Sequence, residues 1–365
     1  MKVCLVSNQI AAFDKIGGFG TATRALGRGL VRRGVSVVAV VPRRAGQREV
    51  EEVDGIIVRS TGRFETFTSG AVFREIGADL YHSQEPTLAT WLAQRARPGV
   101  PHLVTCRDPR GLAEHLVEWR YSGLGRRLQA PATWLYEASS FVKEAVRRAH
   151  RVFCAAPFLR ERVRGLYGVE SEFLPSPVRV EAHAPRKSDR PLVLFVGRWD
   201  RRKRVERFFD LARRFPEVRF VAVGRSHDAS YDGRLREKGR AISNLEMPGF
   251  LSLFDTRELE SYYEAAWVLV NTSVREGLPY TFLEAAAHGC AVLSGLDPDG
   301  FASRFGVVAG EDSLAEGLRS LLKADCWRQK GALGREYVAE TFAEERSLDR
   351  HLQAYEEVLR GRSNA

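Results

Sequence analysis

Two glutamates in one stretch of the sequence give its strongest chemical signal. In NTSVREGLPYTFLEAAAHG, residues 271–289, Glu276 lies in a polar loop that follows the apolar run WVLVN, and Glu284 lies in the early turns of a helix that Pro279 opens. A carboxylate accepts two hydrogen bonds, which suits the hydroxyls of a ribose or a hexose. Taken alone, two surface acids that pair with arginines would explain this stretch as well, so the neighbouring motifs must decide.

The start of the same helix is suited to binding phosphate. Ligands of parallel α/β sheets bind beyond the carboxyl ends of the strands. The backbone N–H groups of Leu278, Tyr280 and Thr281 would face such a ligand, together with the positive end of the helix dipole.

Cationic residues follow another predicted strand. The run PLVLFVG ends at Gly197, and Arg198 and Lys203 come after it, before the helical stretch RVERFFDLARRF. Because the carboxyl ends of parallel strands meet at one edge of a sheet, these cations and the glutamates point to the same crevice. Cations there would stabilise a diphosphate leaving group; solvated cations at a helix start are the alternative.

Glycines cluster in a third place, as Gly17, Gly18 and Gly20 of GGFG. Glycine allows a close approach of the backbone to a ligand and a mobile loop. A plain tight turn is the alternative.

These motifs require a framework of alternating strands and helices. Apolar runs such as KVCLVS, VSVVAVV and HLVTC alternate with amphipathic stretches, and the pattern restarts in PLVLFVG, VRFVAVG and AVLSG. The strands lack polar alternation, as expected when helices cover both faces of a parallel sheet. Because a chain of 365 residues is longer than one hydrophobic core usually organises, we predict two doubly wound α/β domains. The predicted parts are 1–178 for the first domain, 179–190 for a proline-rich linker, 191–342 for the second domain and 343–365 for a helix that returns to the first.

The excess positive charge lies in the first half of the chain. Of a formal net charge of +10, residues 1–185 hold 27 Lys and Arg against 18 Asp and Glu, whereas residues 186–365 hold 29 against 28. Such asymmetry predicts an anionic partner. Residues 117–150 mix aromatic side chains with arginines, which suits an anionic membrane surface or a lipid-linked phosphate acceptor. Core aromatics beneath a solvated basic face are the alternative.

Three of these motifs together resemble a known family, the retaining sugar-nucleotide glycosyltransferases of the GT-B fold, in their large fourth sequence family. The matching elements are GGFG at 17–20, VGRWDRRK at 196–203 and EGLPYTFLEAAAHG at 276–289. The resemblance implies two Rossmann-like domains facing a central cleft. It also implies transfer of a hexosyl group from a nucleotide-diphosphate sugar to a hydroxyl acceptor, for which a lipid-linked acceptor and a cell-envelope glycan precursor are the candidates. The anomeric configuration would be retained, with neither a metal nor a resident cofactor.

The resemblance further implies roles for single residues. Arg198 and Lys203 would hold the donor diphosphate, Glu276 would contact the donor sugar, and Glu284 would bind the ribose hydroxyls. The implied donor-binding set is Gly18, Gly197, Arg198, Lys203, Glu276, Gly277, Leu278, Pro279, Tyr280, Thr281 and Glu284.

This chain departs from the family at one position. The family commonly has a histidine at the end of the strand that precedes residue 108, where this chain has LVTCRDPRG. Asp108 therefore joins Glu276, Arg198 and Lys203 as a catalytic candidate, with a helix-capping or salt-bridging aspartate as the alternative. The acceptor-side candidates are Gly17, Gly18, Gly20, His82 and Arg107, and for His82 a hydrogen-bonded core position is favoured.

Other functions remain as alternatives at this stage. A sugar-nucleotide epimerase or phosphorylase could share the scaffold, and the charge alone would fit a nucleic-acid-binding protein. The sequence has no zinc finger, aromatic RNA-binding signature or basic heptad helix, so we expect no nucleic-acid partner. The first residues are interpreted as a strand rather than a secretory signal, which predicts a cytoplasmic protein with an optional peripheral contact at the inner membrane surface.

Overall fold

The computed structural model describes residues 1–12, 17–62 and 70–363. Contacts divide the chain into two units. The first unit consists of Met1–His115, Leu128–Val178 and Phe342–Ala365, and the second consists of Leu116–Arg127 and Arg179–Thr341.

The first unit is built on an eight-stranded sheet. Its strands are β1 (Lys2–Val6), β2 (Ser36–Pro42), β3 (Val50–Val53), β4 (Ile56–Thr61), β5 (Leu80–Ser83), β6 (His102–Cys106), β7 (Arg151–Cys154) and β8 (Glu172–Phe173). They lie in the order β3-β4-β2-β1-β5-β6-β7-β8 and run parallel, except that β3 is antiparallel to β4.

Helices accompany these strands in the first half of the chain, and one more follows at its end. They are α1 (Gly18–Arg32), α2 (Gly70–Ile76), α3 (Leu88–Ala96), α4 (Leu112–Arg120), α5 (Leu124–Glu137), α6 (Ser140–Arg147), α7 (Leu159–Tyr167) and the C-terminal α15 (Glu344–Ser363).

Strand β1 shows why the sheet is buried on both faces. Val3 and Leu5 belong to one hydrophobic cluster, which includes Tyr355 of α15. Cys4 belongs to a second cluster on the opposite face, with Phe73 of α2. Successive residues of a strand point to opposite faces, so an unbroken apolar run fits a sheet covered by helices on both sides.

The second unit contains a six-stranded parallel sheet. Its strands are β9 (Leu192–Val196), β10 (Arg219–Val223), β11 (Leu245–Gly249), β12 (Val268–Asn271), β13 (Ala291–Ser294) and β14 (Gly306–Val308). They lie in the order β11-β10-β9-β12-β13-β14. Its helices are α8 (Val205–Arg213), α9 (Ala229–Arg240), α10 (Glu258–Ala265), α11 (Tyr280–Ala287), α12 (Phe301–Phe305), α13 (Leu314–Leu322) and α14 (Cys326–Thr341).

The predicted fold class, two doubly wound α/β domains, is confirmed. Strands β3, β8 and β14 were not among the predicted ones, because each is short and lacks a sustained apolar run. Residues 179–190 contain no helix or strand, and they pack on the second unit, where Lys187 donates to the carbonyl oxygen of Ala266.

One segment differs from the predicted division. Leu116–Arg127 was placed in the first domain with residues 1–178, whereas its contacts group it with the second unit. The physical reason is electrostatic: Glu118 and Arg126 form ion pairs with charged residues of that unit.

No helix in the described parts of the chain combines the length and the apolar composition that spanning a bilayer requires.

A glycine fixes the close crossing of the chain after β9 and β10. Gly224 has a φ of +145°, and a Cβ atom at this position would lie 1.9 Å from the carbonyl oxygen of Gly197. The backbone N–H groups of Gly197 and Trp199 donate across the same crossing, to Val223 and Arg225. The position of the loop that begins at Gly197 therefore depends on the missing side chain of Gly224.

We expect Gly224→Ala to lower the free energy of unfolding by more than about 2 kcal/mol, since both the backbone conformation and the space oppose a side chain. Urea unfolding measures the change. The matched control is Gly233→Ala on α9, where a Cβ would meet nothing within 4 Å. This control should be neutral or stabilising by up to about 1 kcal/mol, and equal effects of the two substitutions would contradict the argument.

Candidate active site

Two loops at the carboxyl ends of β9 and β12 are joined by hydrogen bonds. The Val274 N–H donates to the carbonyl oxygen of Arg202 at 2.9 Å, and the Thr272 hydroxyl donates to that of Lys203 at 2.6 Å. Arg204 donates from Nε to the carbonyl oxygen of Thr272 at 2.8 Å. These bonds bring the VGRWDRRK and EGLPY motifs to one place, as the sequence predicts for neighbouring parallel strands.

Lys203 and Glu276 form the ion pair that unites the two motifs. The Lys203 ammonium donates to Oε1 of Glu276, and both side chains are largely buried. Burial alone would raise the pKa of Glu276, but Lys203, the Ser273 hydroxyl and Arg275 hold this pKa below its ordinary value. Glu276 is therefore ionised at neutral pH and ready to accept hydrogen bonds.

Arg198 lies in the same cluster, beside Asp200. The closest guanidinium and carboxylate atoms of the two residues are 3.5 Å apart, and Arg202 and Arg126 approach the same carboxylate at 3.3 and 3.6 Å. Burial would raise the pKa of Asp200, yet the surrounding cations bring it below its ordinary value. Three guanidinium groups share this one carboxylate, so the cluster carries an excess of positive charge.

A glutamate that sequence reasoning missed completes the cluster. Glu118, near the end of α4, pairs with Arg202 at 2.8 Å and with Arg275 at 3.1 Å. It thereby contacts both motif loops, beside Lys203 on one and Glu276 on the other. The partners of Glu118 lie far along the chain, and no local sequence pattern around Glu118 predicts them. Asp200, by contrast, lies inside the VGRWDRRK motif, so its place in the cluster could have been predicted.

Glu284 lies on α11, as predicted, but in the interior. Its Oε2 accepts a hydrogen bond from the Tyr263 hydroxyl at 2.7 Å. Burial raises the pKa of Glu284 to about 7, against the lowering effect of that hydrogen bond. The carboxyl group thus changes its charge near neutral pH.

The start of α11 follows Glu276 directly. The helix begins at Tyr280 with Pro279 as its N-cap, so the backbone N–H groups of Tyr280 and Thr281 belong to its first turn. Gly277 and Leu278 form the bend between Glu276 and this turn. A helix of eight residues presents the positive end of its dipole here.

The candidates of the first unit do not form a comparable cluster. His82 is fully buried, and its two ring nitrogens are hydrogen-bonded to the hydroxyls of Tyr355 and Thr105, at 2.8 and 2.7 Å. Burial, with His351 and Arg107 acting in the same direction, lowers the pKa of His82 well below its ordinary value. The structure thus places His82 in the core, the alternative that the sequence favoured, and not at an acceptor surface.

Arg107 is also buried, which the acceptor-side assignment did not anticipate. It donates to the Ser176 hydroxyl and to the side-chain oxygen of Gln84. Asp108 comes two residues after the end of β6 and is half-buried. Because Asp108 lies beyond the end of a strand, it stays a catalytic candidate. Arg107 instead holds the segments that carry Gln84 and Ser176 in place.

The glycine cluster forms a helix start, which corrects the expected loop. Gly17 is the N-cap of α1 in an extended conformation, and Gly18 and Gly20 lie in the first turn. A Cβ atom on Gly20 would lie 3.1 Å from the backbone nitrogen of Ala11. The glycines therefore permit a close approach between α1 and the chain that follows β1.

Among the described residues, no group of three or more His, Cys, Asp or Glu side chains is arranged to hold a metal ion. Asp297, which follows β13, accepts a hydrogen bond from the backbone N–H of Ser303 of α12 at 3.0 Å.

The titration of Glu284 leads to a prediction about stability. Its pKa is raised from 4.5 to about 7 in the folded protein, so folding favours the protonated form. That stabilisation is complete below about pH 4.5 and is lost as the pH rises through about 7. Glu284→Gln should therefore gain stability relative to the wild type over this interval, by on the order of a few kcal/mol.

Urea unfolding between pH 4.5 and 8 measures the difference. The control is Glu237→Gln, an exposed glutamate of α9, which should follow the wild type at every pH. If the difference between Glu284→Gln and the wild type does not depend on pH, the buried carboxyl has an ordinary pKa.

Comparisons with known proteins identify the family of both halves of the chain. Residues 17–175 match the family model described as glycosyl transferase 4-like domain, and residues 190–324 match the one described as glycosyl transferases group 1. The α-maltose-1-phosphate synthase of Mycolicibacterium smegmatis is 28% identical over 299 residues, which cover 71% of this chain and 74% of that protein.

Solved structures share the fold over almost the whole chain. The sucrose-phosphate synthase of Thermosynechococcus elongatus has a TM-score of 0.75 at 19% identity and covers 99% of both chains. The Anabaena protein Alr3699/HepE, solved in complex with UDP-glucose, has a TM-score of 0.70 at 12% identity and covers 97% of this chain and 99% of that one. With both sheets, both matched domains and these structures in agreement, the chain belongs to the group 1 glycosyltransferases of the GT-B fold.

Proposed function

We propose that the charged cluster of the second unit, formed by Arg198, Asp200, Lys203, Glu118 and Glu276, binds the diphosphate of a nucleotide sugar. The enzyme then transfers the hexosyl group of this donor to a hydroxyl acceptor with retention of configuration. The observation that carries the proposal is the Lys203–Glu276 ion pair, next to Arg198 and to the start of α11. A cationic group, an ionised carboxylate and a helix N-terminus together match the phosphate and hydroxyl groups of such a donor.

Donor binding would exchange the ion pair for two contacts with the ligand. The Lys203 ammonium would turn to a phosphate oxygen, and the Glu276 carboxylate would accept hydrogen bonds from hexose hydroxyls. Arg198 is half-buried and is only partly neutralised by Asp200, so it retains charge for the second phosphate. Because the protein holds these charges in place beforehand, they stabilise the negative charge that develops on the leaving diphosphate.

Under this proposal Glu284 binds the ribose. In the ionised form it accepts a hydrogen bond from the Tyr263 hydroxyl and can accept further hydrogen bonds from ribose hydroxyls.

The hexose and the nucleotide base of the donor are suggested by the relatives alone: one is named for making maltose 1-phosphate, and one was solved with UDP-glucose. We therefore take UDP-glucose as the first donor to test.

The chemistry assigned here needs no protein nucleophile. The acceptor hydroxyl attacks the anomeric carbon on the face of the leaving group, and the donor phosphate takes up its proton while the carbon–oxygen bond to the diphosphate breaks. The protein positions the donor and neutralises charge through Arg198, Lys203 and the amides of α11. Since these groups supply the positive charge, we propose an enzyme without a metal or resident cofactor, with the sugar nucleotide as co-substrate.

A peripheral membrane contact is a separate part of the proposal. Helix α5 has no buried side chain, and Leu124, Leu128 and Leu135 are 77, 76 and 61% exposed. Their spacing places them on one face of the helix, and Arg126 and Arg127 lie on the same helix. Exposed leucines beside arginines suit the interface of an anionic membrane, which would bring the enzyme to a lipid-linked acceptor.

The donor site is tested by two substitutions. We expect Lys203→Ala and Glu276→Ala each to lower the turnover of sugar transfer at least about 100-fold, since each removes one fixed charge that the transition state uses. Initial rates with UDP-, GDP- and ADP-glucose measure this and identify the base. Lys238→Ala, an exposed lysine of α9, is the control and should keep the wild-type rate.

Near-normal turnover in both variants, with unchanged circular dichroism, would refute the assignment.

The anomeric proton coupling of the first product, measured by NMR, tests retention, and an inverted product would contradict it. Release of free sugar with no acceptor present would favour an epimerase-like activity, and loss of turnover in excess chelator would contradict metal independence.

The membrane contact is tested on α5. Leu128→Ser/Leu135→Ser should weaken binding to vesicles containing phosphatidylglycerol several-fold, because the exposed apolar area is lost. The matched control is Leu333→Ser, an exposed leucine of α14. Binding of the wild type should also weaken at high salt; equal binding to neutral and anionic vesicles would refute the contact.

A further inference from the structure

A second basic pocket lies in the second unit, apart from the ion pair of Lys203 and Glu276. It is formed by the turn between α4 and α5, the start of α8 and Tyr231 of α9, and its volume is about 630 Å³. Neither Lys203, Glu276 nor Glu284 lines it. A concave space of this volume is the size of a small-molecule site rather than of a nucleic-acid surface.

The pocket carries guanidinium groups in excess of its acids. Five arginines line it, at positions 120, 127, 201, 204 and 207, together with the acids Glu206 and Asp210. Asp210 pairs with Arg213 at 2.7 Å, whereas Glu206 accepts a hydrogen bond from the neutral Tyr231 hydroxyl and keeps its negative charge.

One carboxylate neutralises part of this charge. Arg204 and Arg207 both pair with Glu311, which lies outside the pocket lining. Arg127 donates to the backbone carbonyl oxygens of Trp119 and Arg120, at 3.1 and 2.6 Å, which leaves its charge in place.

Two further guanidinium groups keep their charge and are held by aromatic rings. Arg201 lies 4.7 Å from the ring centre of Tyr231, and Arg120 lies 5.9 Å from that of Tyr121. Across the described residues, no carboxylate comes within ion-pair distance of Arg120, Arg127 or Arg201. Contact with an aromatic ring orients a guanidinium while its N–H groups stay available to a ligand.

The backbone at the pocket is held in an unfavourable conformation. Arg204 has a φ of +47° and a ψ of +50°, in the left-handed region, and it is not a glycine. Its side chain is fixed by the carbonyl oxygen of Thr272 and by Glu311. Strain of this kind is found more often where a side chain must be presented to a ligand.

We propose that this pocket binds the phosphate group of a small phosphomonoester, such as a sugar phosphate. Guanidinium groups form paired hydrogen bonds with phosphate oxygens. Arg120, Arg127 and Arg201, which have no ion-pair partner among the described residues, leave the pocket net positive even with Glu206 ionised, and a dianionic phosphomonoester matches that charge. Tyr121 and Tyr231 line the pocket and hold Arg120 and Arg201 beside it. The proposal is independent of the donor site, because no residue assigned to the donor lines the pocket.

The turn that forms the pocket also connects it to the charged cluster. Glu118 and Arg126 stand on either side of this turn, and they pair with Arg202 and Asp200 of the loop after β9. A ligand that orders the turn therefore acts on the same loop that carries Lys203.

Isothermal titration with glucose 6-phosphate, inorganic phosphate and glucose tests the proposal. The wild type should bind the two phosphates and not glucose. Arg120→Gln/Arg201→Gln should weaken glucose 6-phosphate binding at least about tenfold, because two charge-assisted contacts are lost. Arg240→Gln, an exposed arginine at the end of α9, is the control and should bind as the wild type does.

UDP titration separates this proposal from the donor site. The double variant should bind UDP as the wild type does, whereas Lys203→Ala should lose UDP affinity and keep glucose 6-phosphate affinity. The proposal is overturned if the wild type binds neither phosphate, if the double variant binds glucose 6-phosphate unchanged, or if Lys203→Ala abolishes that binding, which would place the phosphate in the donor site.

Discussion

The site in the second unit depends on how a few carboxylates hold many cations at the end of a parallel sheet. Asp200 faces three arginines, Glu118 faces two, and Glu276 holds Lys203. Without these acids the cations would repel one another and turn to water. With them, the guanidinium and ammonium groups stay fixed and only partly neutralised, which is the condition for binding a polyanion without further rearrangement.

The backbone supports the same arrangement. Hydrogen bonds between the loops after β9 and β12 fix the distance between Lys203 and Glu276, and the close crossing at Gly224 fixes where the first of these loops begins. Residues that carry no charge thus determine where the charges lie. Parallel α/β sheets commonly work in this way, because the rigid sheet positions the functional residues on the loops that follow its strands.

The parts that could be predicted from the sequence are those with a local cause. Apolar runs fixed most strands, and Pro279 and the loop before it marked the start of α11, because strand burial and helix initiation act over a few residues. The approach of Lys203 to Glu276 followed from the rule that strand ends share one edge. What could not be predicted depends on partners far along the chain: Glu118 reaches Arg202 across 84 positions, and His82 is a core residue because Tyr355 packs against it. A type of residue can be recognised locally, whereas its burial is a property of the whole fold.

A crystal structure of the protein soaked with UDP-glucose tests the central claim most directly. We predict density for the diphosphate between Arg198, Lys203 and the first turn of α11, with the Lys203–Glu276 ion pair opened in favour of the ligand. Well-defined nucleotide density elsewhere on the second unit, with that ion pair unchanged, would contradict the account.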